Sequence, residues 1–177
     1  MATFDSSTKI WEGPRVAHPY SHHTSLGKEI LKKLSETPER VLDICHDDET
    51  SMTCEETRIA SIRIAQNLTS LGIKKGDVIG FICSNSTNLP ALIYGCLLIG
   101  APINPLDVGF KKDDITHLFV QTKPKLVFCD SELFQTVQLS LDELNNDAII
   151  ITLRTAITGV RFINELLSET GKEDFFE

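Results

Sequence analysis

The polar run "CSNSTNLP" is the first place to look for chemistry. It joins the apolar "VIGFI" to a stretch of helical spacing and sets Ser84, Asn85, Ser86, Thr87 and Asn88 in succession. A strand end feeding a helix start exposes backbone amides that can hold an anion. The same residue types are also the favoured helix caps, their side-chain oxygens accepting those amides, and capping is the reading adopted for this turn. Cys83 and Cys129 close the apolar runs "VIGFIC" and "KLVFC". A thiol needs a neighbouring base to act as a nucleophile. His117 is the histidine weighed for that role, but it shares a helix with Ile115 and Leu118, and nothing in the spacing brings it to either thiol.

Two further clusters invite a metal reading. His18, His22 and His23 crowd the N-terminal stretch, and "CHDDE" gathers Cys45, His46, Asp47, Asp48 and Glu49. A structural zinc site generally takes four ligands, and no Cys or His spacing elsewhere completes either set. An exposed arm and a solvated turn are therefore expected. "SETGKE" offers Gly171 and Lys172, yet a phosphate-binding loop would need glycine at 166 and a hydroxyl at 173, where Leu166 and Glu173 stand. A helix stop followed by a charged tail is expected instead. No residue is assigned a catalytic, substrate-binding, cofactor-binding or metal-binding role on these grounds.

Composition narrows the class. The 177 residues carry a net charge of −8 and show no basic stripe, which argues against nucleic acid as a partner. Five irregularly spaced cysteines do not read as a disulfide framework; buried free thiols in a reducing compartment are expected. "MATFDSSTKI" lacks the pattern of a secretory leader, so the glycosylation triplets at Asn67 and Asn85 are set aside and a cytoplasmic location is expected. The uncharged run Leu89–Ile103 is shorter than the ~20 residues that span a bilayer, and Pro90, Gly95, Gly100 and Pro102 interrupt it. A buried helix entering a buried strand accounts for it.

The elements that would position these residues follow from periodicity. Leu26, Ile30, Leu31 and Leu34 share a helix face, and "ETPER" ends that helix. "VLDICHD" reads as a strand, with a turn into a second short one. Thr53 and Glu56 form a capping box for a helix that Gly72 stops in a left-handed conformation. Then "DVIGFIC", "APIN", "KLVFCD" and "DAIIITL" read as strands. Between them lie helices over "NLPALIYGCLLIG", "KKDDITHLFVQTK" and "SELFQTVQLSLDELNN", the last capped by Ser131, and "VRFINELLSET" makes a final helix stopped by Gly171. The strands are continuous apolar runs, not alternating ones, which means burial on both faces. The expected fold is α/β, with parallel strand-helix-strand layers over residues 25–177 behind an irregular arm at 1–24.

Taken in order, these stretches resemble the N-terminal region of the adenylate-forming superfamily, which includes acyl-CoA synthetases, 4-coumarate–CoA ligases and insect luciferase-like enzymes. The matching parts are the threonine-led helix with "IAQNL", then "LGIKKGDVIGF", the polar "SNS" turn, the passage "GCLLIGAPINP", "KKDDITHLF" and "TKPKLVFCD". "IWEGP" and "PERVLDI" are similar to the insect luciferase-like branch. The resemblance is strongest from Ser51 to Asp130.

The resemblance implies a reaction: a carboxylic acid and ATP, with Mg²⁺, give an acyl-adenylate and pyrophosphate, and the thiol of coenzyme A then displaces AMP. It also implies that the phosphate loop, the adenine, ribose and acyl motifs and the mobile domain with the catalytic lysine follow after "EDFFE". On that expectation the segment is an incomplete N-terminal subdomain, inactive alone, with no cofactor of its own and with its scaffold as its share. An alternative is an interaction module that pairs with itself or with a full-length relative through an open sheet edge. A stand-alone enzyme using the "SNST" turn as an anion site is a third reading. A peroxisomal parent enzyme is a further implication of the family.

Overall fold

The computed structural model describes residues 2–14, 20–21, 23–46 and 49–174. In chain order, β1 (Thr3–Asp5) and β2 (Ile10–Glu12) form an antiparallel hairpin, and α1 spans Leu26–Glu36. A second antiparallel pair follows, β3 (Val41–Cys45) with β4 (Thr50–Thr53), then α2 (Cys54–Ser70). The remainder is β5 (Ile79–Ile82), α3 (Asn88–Ile99), β6 (Ile103–Pro105), α4 (Lys112–Thr122), β7 (Leu126–Asp130), α5 (Phe134–Glu143), β8 (Ile149–Leu153), β9 (Arg161–Phe162) and α6 (Asn164–Leu167).

The expected α/β fold is present as a five-stranded sheet in the order β6-β5-β7-β8-β9, every pair parallel. The continuous apolar strands split residue by residue between two cores. Ile79, Phe81, Leu126, Phe128, Ile151 and Leu153 face α2, α3 and α6, where Ile64, Leu68, Leu92, Cys96 and Leu166 meet them. Ile82, Val127, Cys129 and Ile150 face α4 and α5, meeting Ile115, Phe119, Val137 and Leu141. Phe81 and Phe128 lie side by side on neighbouring strands with ring centroids 5.0 Å apart. Each fully buried side chain of this size contributes roughly 1.5–3 kcal/mol, so the two layers and not the short strands hold the sheet.

Local signals explain most boundaries. The hydroxyl of Thr53 accepts the Glu56 amide while the Glu56 carboxylate accepts the Thr53 amide, closing the capping box at α2. Gly72 (φ 90°) and Gly100 (φ 69°) take the left-handed turns that end α2 and α3. Gly95 lies against α2, where an added Cβ would fall 2.6 Å from Cγ2 of Ile64, so the glycine is what lets α3 approach.

Four expectations are corrected. The N-terminal stretch is not irregular throughout: β1 and β2 pair, with Phe4 and Trp11 in ring contact. Ser131 does not cap α5; it opens a 3-10 turn, and its hydroxyl lies 2.6 Å from the Leu153 carbonyl, tying β7 to β8. The last helix is only one turn, ending at Leu167 before Gly171, because Arg161 and Phe162 are drawn into the sheet as β9 and Ser168 adopts extended backbone. The Ser/Thr/Asn turn before α3 does not cap it: Thr87 has helical backbone and makes no side-chain cap bond. Its hydroxyl sits 3.1 Å from that of Thr50 on β4 instead.

Candidate functional site at the carboxyl edge of the sheet

The chain leaves β5 through α3 to reach β6 on one side, and leaves β7 through α5 to reach β8 on the other, with the two helices on opposite faces. Such a switch point opens a crevice beyond the carboxyl ends of the two strands, the usual ligand position in open parallel sheets. Three residues meet there. Asp130 ends β7 and is only 5% exposed. Its Oδ2 accepts the amide of Ser84, just past β5, at 2.8 Å. Its Oδ1 lies 3.5 Å from Nε of Arg154, just past β8. Arg154 takes a left-handed backbone (φ 66°) and donates from Nη2 to the Asn85 carbonyl at 3.1 Å.

The crevice is therefore already furnished with an anion, the protein's own carboxylate. Ser84's amide, the donor that an incoming anion would want, is spent on it. Arg154 balances the charge and pins the polar turn. Beside this latch lies a cavity of about 380 Å³ lined by Asp43, Cys45, His46, Asn85, Ser86 and Leu89, between β3 and the start of α3.

The remaining candidates are placed as follows. Burial, and then the neighbouring Asp130 carboxylate, pushes the Cys83 thiol up to about 12, and Cys129 is pushed to about 12 by the same causes. Both stay protonated near neutrality and are poor nucleophiles. His117 is exposed on α4, with Nε2 3.2 Å from the Gln121 side-chain nitrogen, and joins neither thiol. His18 and His22, and Asp47 and Asp48 of "CHDDE", lie outside the described residues. Among the described residues, no group of three His, Cys, Asp or Glu could hold a metal ion. Gly171 (φ 70°) and Lys172 belong to a segment strapped across α2, not to a phosphate loop.

Sequence reasoning missed Asp130 and Arg154. A signal was present: both are ionisable residues at or just after the end of an apolar strand, in "KLVFCD" and "IIITLR". In a parallel sheet those positions share one edge.

A family model described as AMP-binding enzyme matches residues 31–174, and the chain belongs to that family. It is 24% identical over 172 residues to a luciferin 4-monooxygenase of Photuris pensylvanica, covering 92% of this chain and 30% of the relative. It is 27% identical over 125 residues to a peroxisomal benzoate–CoA ligase of Arabidopsis thaliana, covering 67% of this chain and 20% of the relative. The solved luciferase-like enzyme from the nonluminescent mealworm Zophobas morio superposes with a TM-score of 0.83 at 26% identity, over 91% of this chain and 38% of that one. The chain thus spans less than a third of the length of these two curated relatives. Among the described residues, no helix is long and apolar enough to cross a membrane.

Proposed function

We propose that these 177 residues are the N-terminal scaffold of a luciferase-like acid–thiol ligase, divided into an arm at 1–24 and the sheet-bearing part at 25–177. The parent reaction converts a carboxylic acid and ATP to an acyl-adenylate and pyrophosphate. The coenzyme A thiol then displaces AMP to give an acyl-CoA. The observation that carries the reading is the family match over 31–174 together with the mealworm superposition. The animal that supplies this luciferase-like enzyme is described as nonluminescent, which favours ligation over light emission. Five free thiols support a reducing setting, cytoplasmic or peroxisomal.

At the switch-point crevice the residues present do not fit a nucleoside triphosphate or Mg²⁺. The one nearly buried carboxylate, Asp130, is committed to Ser84 and Arg154, and the Ser84 amide is committed in turn. Their part is to position: the latch fixes the ends of β5, β7 and β8 at the edge where a site would be assembled. No adenylation step is assigned to any of them.

The test is pyrophosphate release by the purified 177-residue chain with ATP, Mg²⁺ and a panel of benzoates and fatty acids. The expected result is no acid-dependent release. Acid-dependent release would overturn the scaffold reading. Probing the native source with an antibody to residues 111–130 tests the parent. A product about three times this mass supports it, and a sole product near 20 kDa counts against it.

One observation favours a second reading, self-association. The five-stranded sheet ends in β6 and β9, edges of three and two residues, too short to recruit another chain readily. The β3–β4 pair is different: Ile44 is 72% exposed, beside exposed Val41 and Leu42. Concentration-dependent sedimentation of the wild-type chain, abolished in Ile44→Lys, would support pairing through this face. A monomer at all concentrations would remove it.

A further inference from the structure

The opposite edge of the sheet carries a second feature, independent of the ligase reading. A cavity of about 880 Å³ opens where α2 and α3 end, walled by the 73–75 turn and roofed by residues 169–172. Lys74, Lys75 and Lys172 line it, all exposed, in a chain of net charge −8. We propose that this cavity is a binding site for a compound carrying a run of phosphates, held by the three ammonium groups.

The lysines are displayed on rigid supports. The Lys74 amide donates to the Asp77 carboxylate at 2.8 Å, the Asp77 amide returns to the Lys74 carbonyl at 3.0 Å, and the Gly76 amide reaches the Gly100 carbonyl at 3.0 Å. The stem of Lys75 lies over Gly100, where an added Cβ would meet its Cγ at 3.0 Å. On the other wall, Gln66 donates to the Lys172 carbonyl at 2.9 Å, which holds the lysine-bearing segment against α2.

The simpler use for these lysines is to cap helix carbonyls. Backbone amides already do that: Leu71, Gly72 and Ile73 bond the carbonyls of Asn67, Thr69 and Leu68, and Gly100 and Ala101 bond those of Leu97 and Cys96. Among the described residues, no ion pair engages any of the three ammonium groups. Glu169, the cavity's carboxylate, pairs with Arg63 at 3.1 Å.

The chemistry of the walls selects the ligand. The hydroxyls of Thr69 and Ser70 donate to the carbonyls of Ala65 and Gln66, so they are not free to donate to a guest. Ile73, Leu98 and Ile99 make part of the wall apolar, and the charged groups left to meet a guest are the lysine ammoniums on flexible stems, which recognise charge density more than shape. That favours a polyphosphate chain over a single phosphate or carboxylate. Its source is inorganic polyphosphate or a nucleotide bearing one.

The test uses the 177-residue chain, inorganic tripolyphosphate and Mg²⁺-free ATP, with calorimetry and amide chemical shifts at low salt. The expected result is binding with shifts confined to residues 69–76 and 168–173. Binding should weaken about tenfold in the triple variant Lys74→Gln, Lys75→Gln, Lys172→Gln, three exposed charge contacts being lost together. It should be unchanged in the control triple Lys9→Gln, Lys28→Gln, Lys32→Gln. Equal affinity for both probes assigns recognition to the phosphates, and tighter ATP binding assigns a nucleotide source; either supports the site. No binding, shifts scattered over the surface, or equal weakening in both triples would overturn it.

Discussion

Asp130 reaches across the switch point to the amide of Ser84 at 2.8 Å, joining the ends of two strands separated by 46 residues. Arg154 closes the latch from the third strand, 3.5 Å from the other carboxylate oxygen. The pair is not a bare surface salt bridge: Asp130 is 5% exposed, its Oδ2 holds the Ser84 amide, and its buried Oδ1 has the Arg154 charge beside it but accepts no hydrogen bond. Asp130→Ala strands the Ser84 amide and removes the counter-charge of Arg154. A loss of about 1–3 kcal/mol in urea unfolding is expected. Asp130→Asn keeps an acceptor for the amide and should lose less. Equal losses in the two variants would show that the Ser84 bond contributes nothing.

Gly95 marks the closest approach of α3 to α2. A methyl group there would lie 2.6 Å from Cγ2 and 2.9 Å from Cβ of Ile64, and 3.1 Å from the Ser61 carbonyl. In an exposed helix Gly→Ala gains about 1 kcal/mol from propensity. Overpacking of a filled core costs about 1–3 kcal/mol, and here the clash is with a β-branched side chain that cannot swing away. Gly95→Ala is expected to destabilise on balance. Combining it with Ile64→Ala, which empties the same space, should give a loss well short of the sum of the two single losses. Additive losses would place the strain elsewhere.

What was legible in the sequence was whatever repeats or sits at a fixed offset. The parallel sheet was readable because β5, β7 and β8 are unbroken apolar runs, and the α2 start was readable because Thr53 and Glu56 stand three apart. The β1–β2 hairpin escaped because three-residue strands show no period. Thr87 and Ser131 were expected as caps, since their types favour that role. Tertiary partners, Thr50 on β4 and Leu153 on β8, claimed their hydroxyls instead. The candidate site was hidden for the same reason. Asp130 and Arg154 are 24 positions apart, and only the parallel register of β7 and β8 sets their ends side by side.

The buried thiols predict an alkaline weakness. Burial pushes Cys96 up to about 12 from its ordinary 9.0, and its side chain is fully enclosed between α2 and α3. A raised folded value means that the folded state holds the proton more tightly than the unfolded one. The associated stability is present below about pH 9 and is lost as the pH climbs toward 12. In that window one such thiol costs about 1.4 kcal/mol per pH unit. Stability measured from pH 8 to 10.5 should fall less steeply in Cys96→Ala than in the wild type, whatever the packing cost of the substitution at pH 7. Identical slopes would mean that the thiol is not desolvated.

The strap across α2 predicts an acid weakness of opposite sign. Arg63 donates from Nε to Glu173 at 2.9 Å and from Nη2 to Glu169 at 3.1 Å, while Asn67 donates to the carbonyls of Leu166 and Ser168 at 3.0 and 3.2 Å. The amides of Thr170 and of Glu173 itself, then Arg63, hold the Glu173 carboxyl down at about 2, below its ordinary 4.5. A depressed folded value means that the attachment is complete above pH 4.5 and is lost as the pH falls toward 2. Hydrogen exchange at residues 166–173, corrected for intrinsic rates, should therefore accelerate relative to β7 below pH 4.5. Arg63→Ala should raise exchange in the same segment at pH 7 and leave β7 and β8 protected, because residues 168–173 of the strap lie outside both cores and only Leu166 and Leu167 at its start pack into one. Uniform acceleration through the sheet would instead make Arg63 part of the global fold, and unchanged exchange at 166–173 would leave the strap held by Gln66 and Asn67 alone.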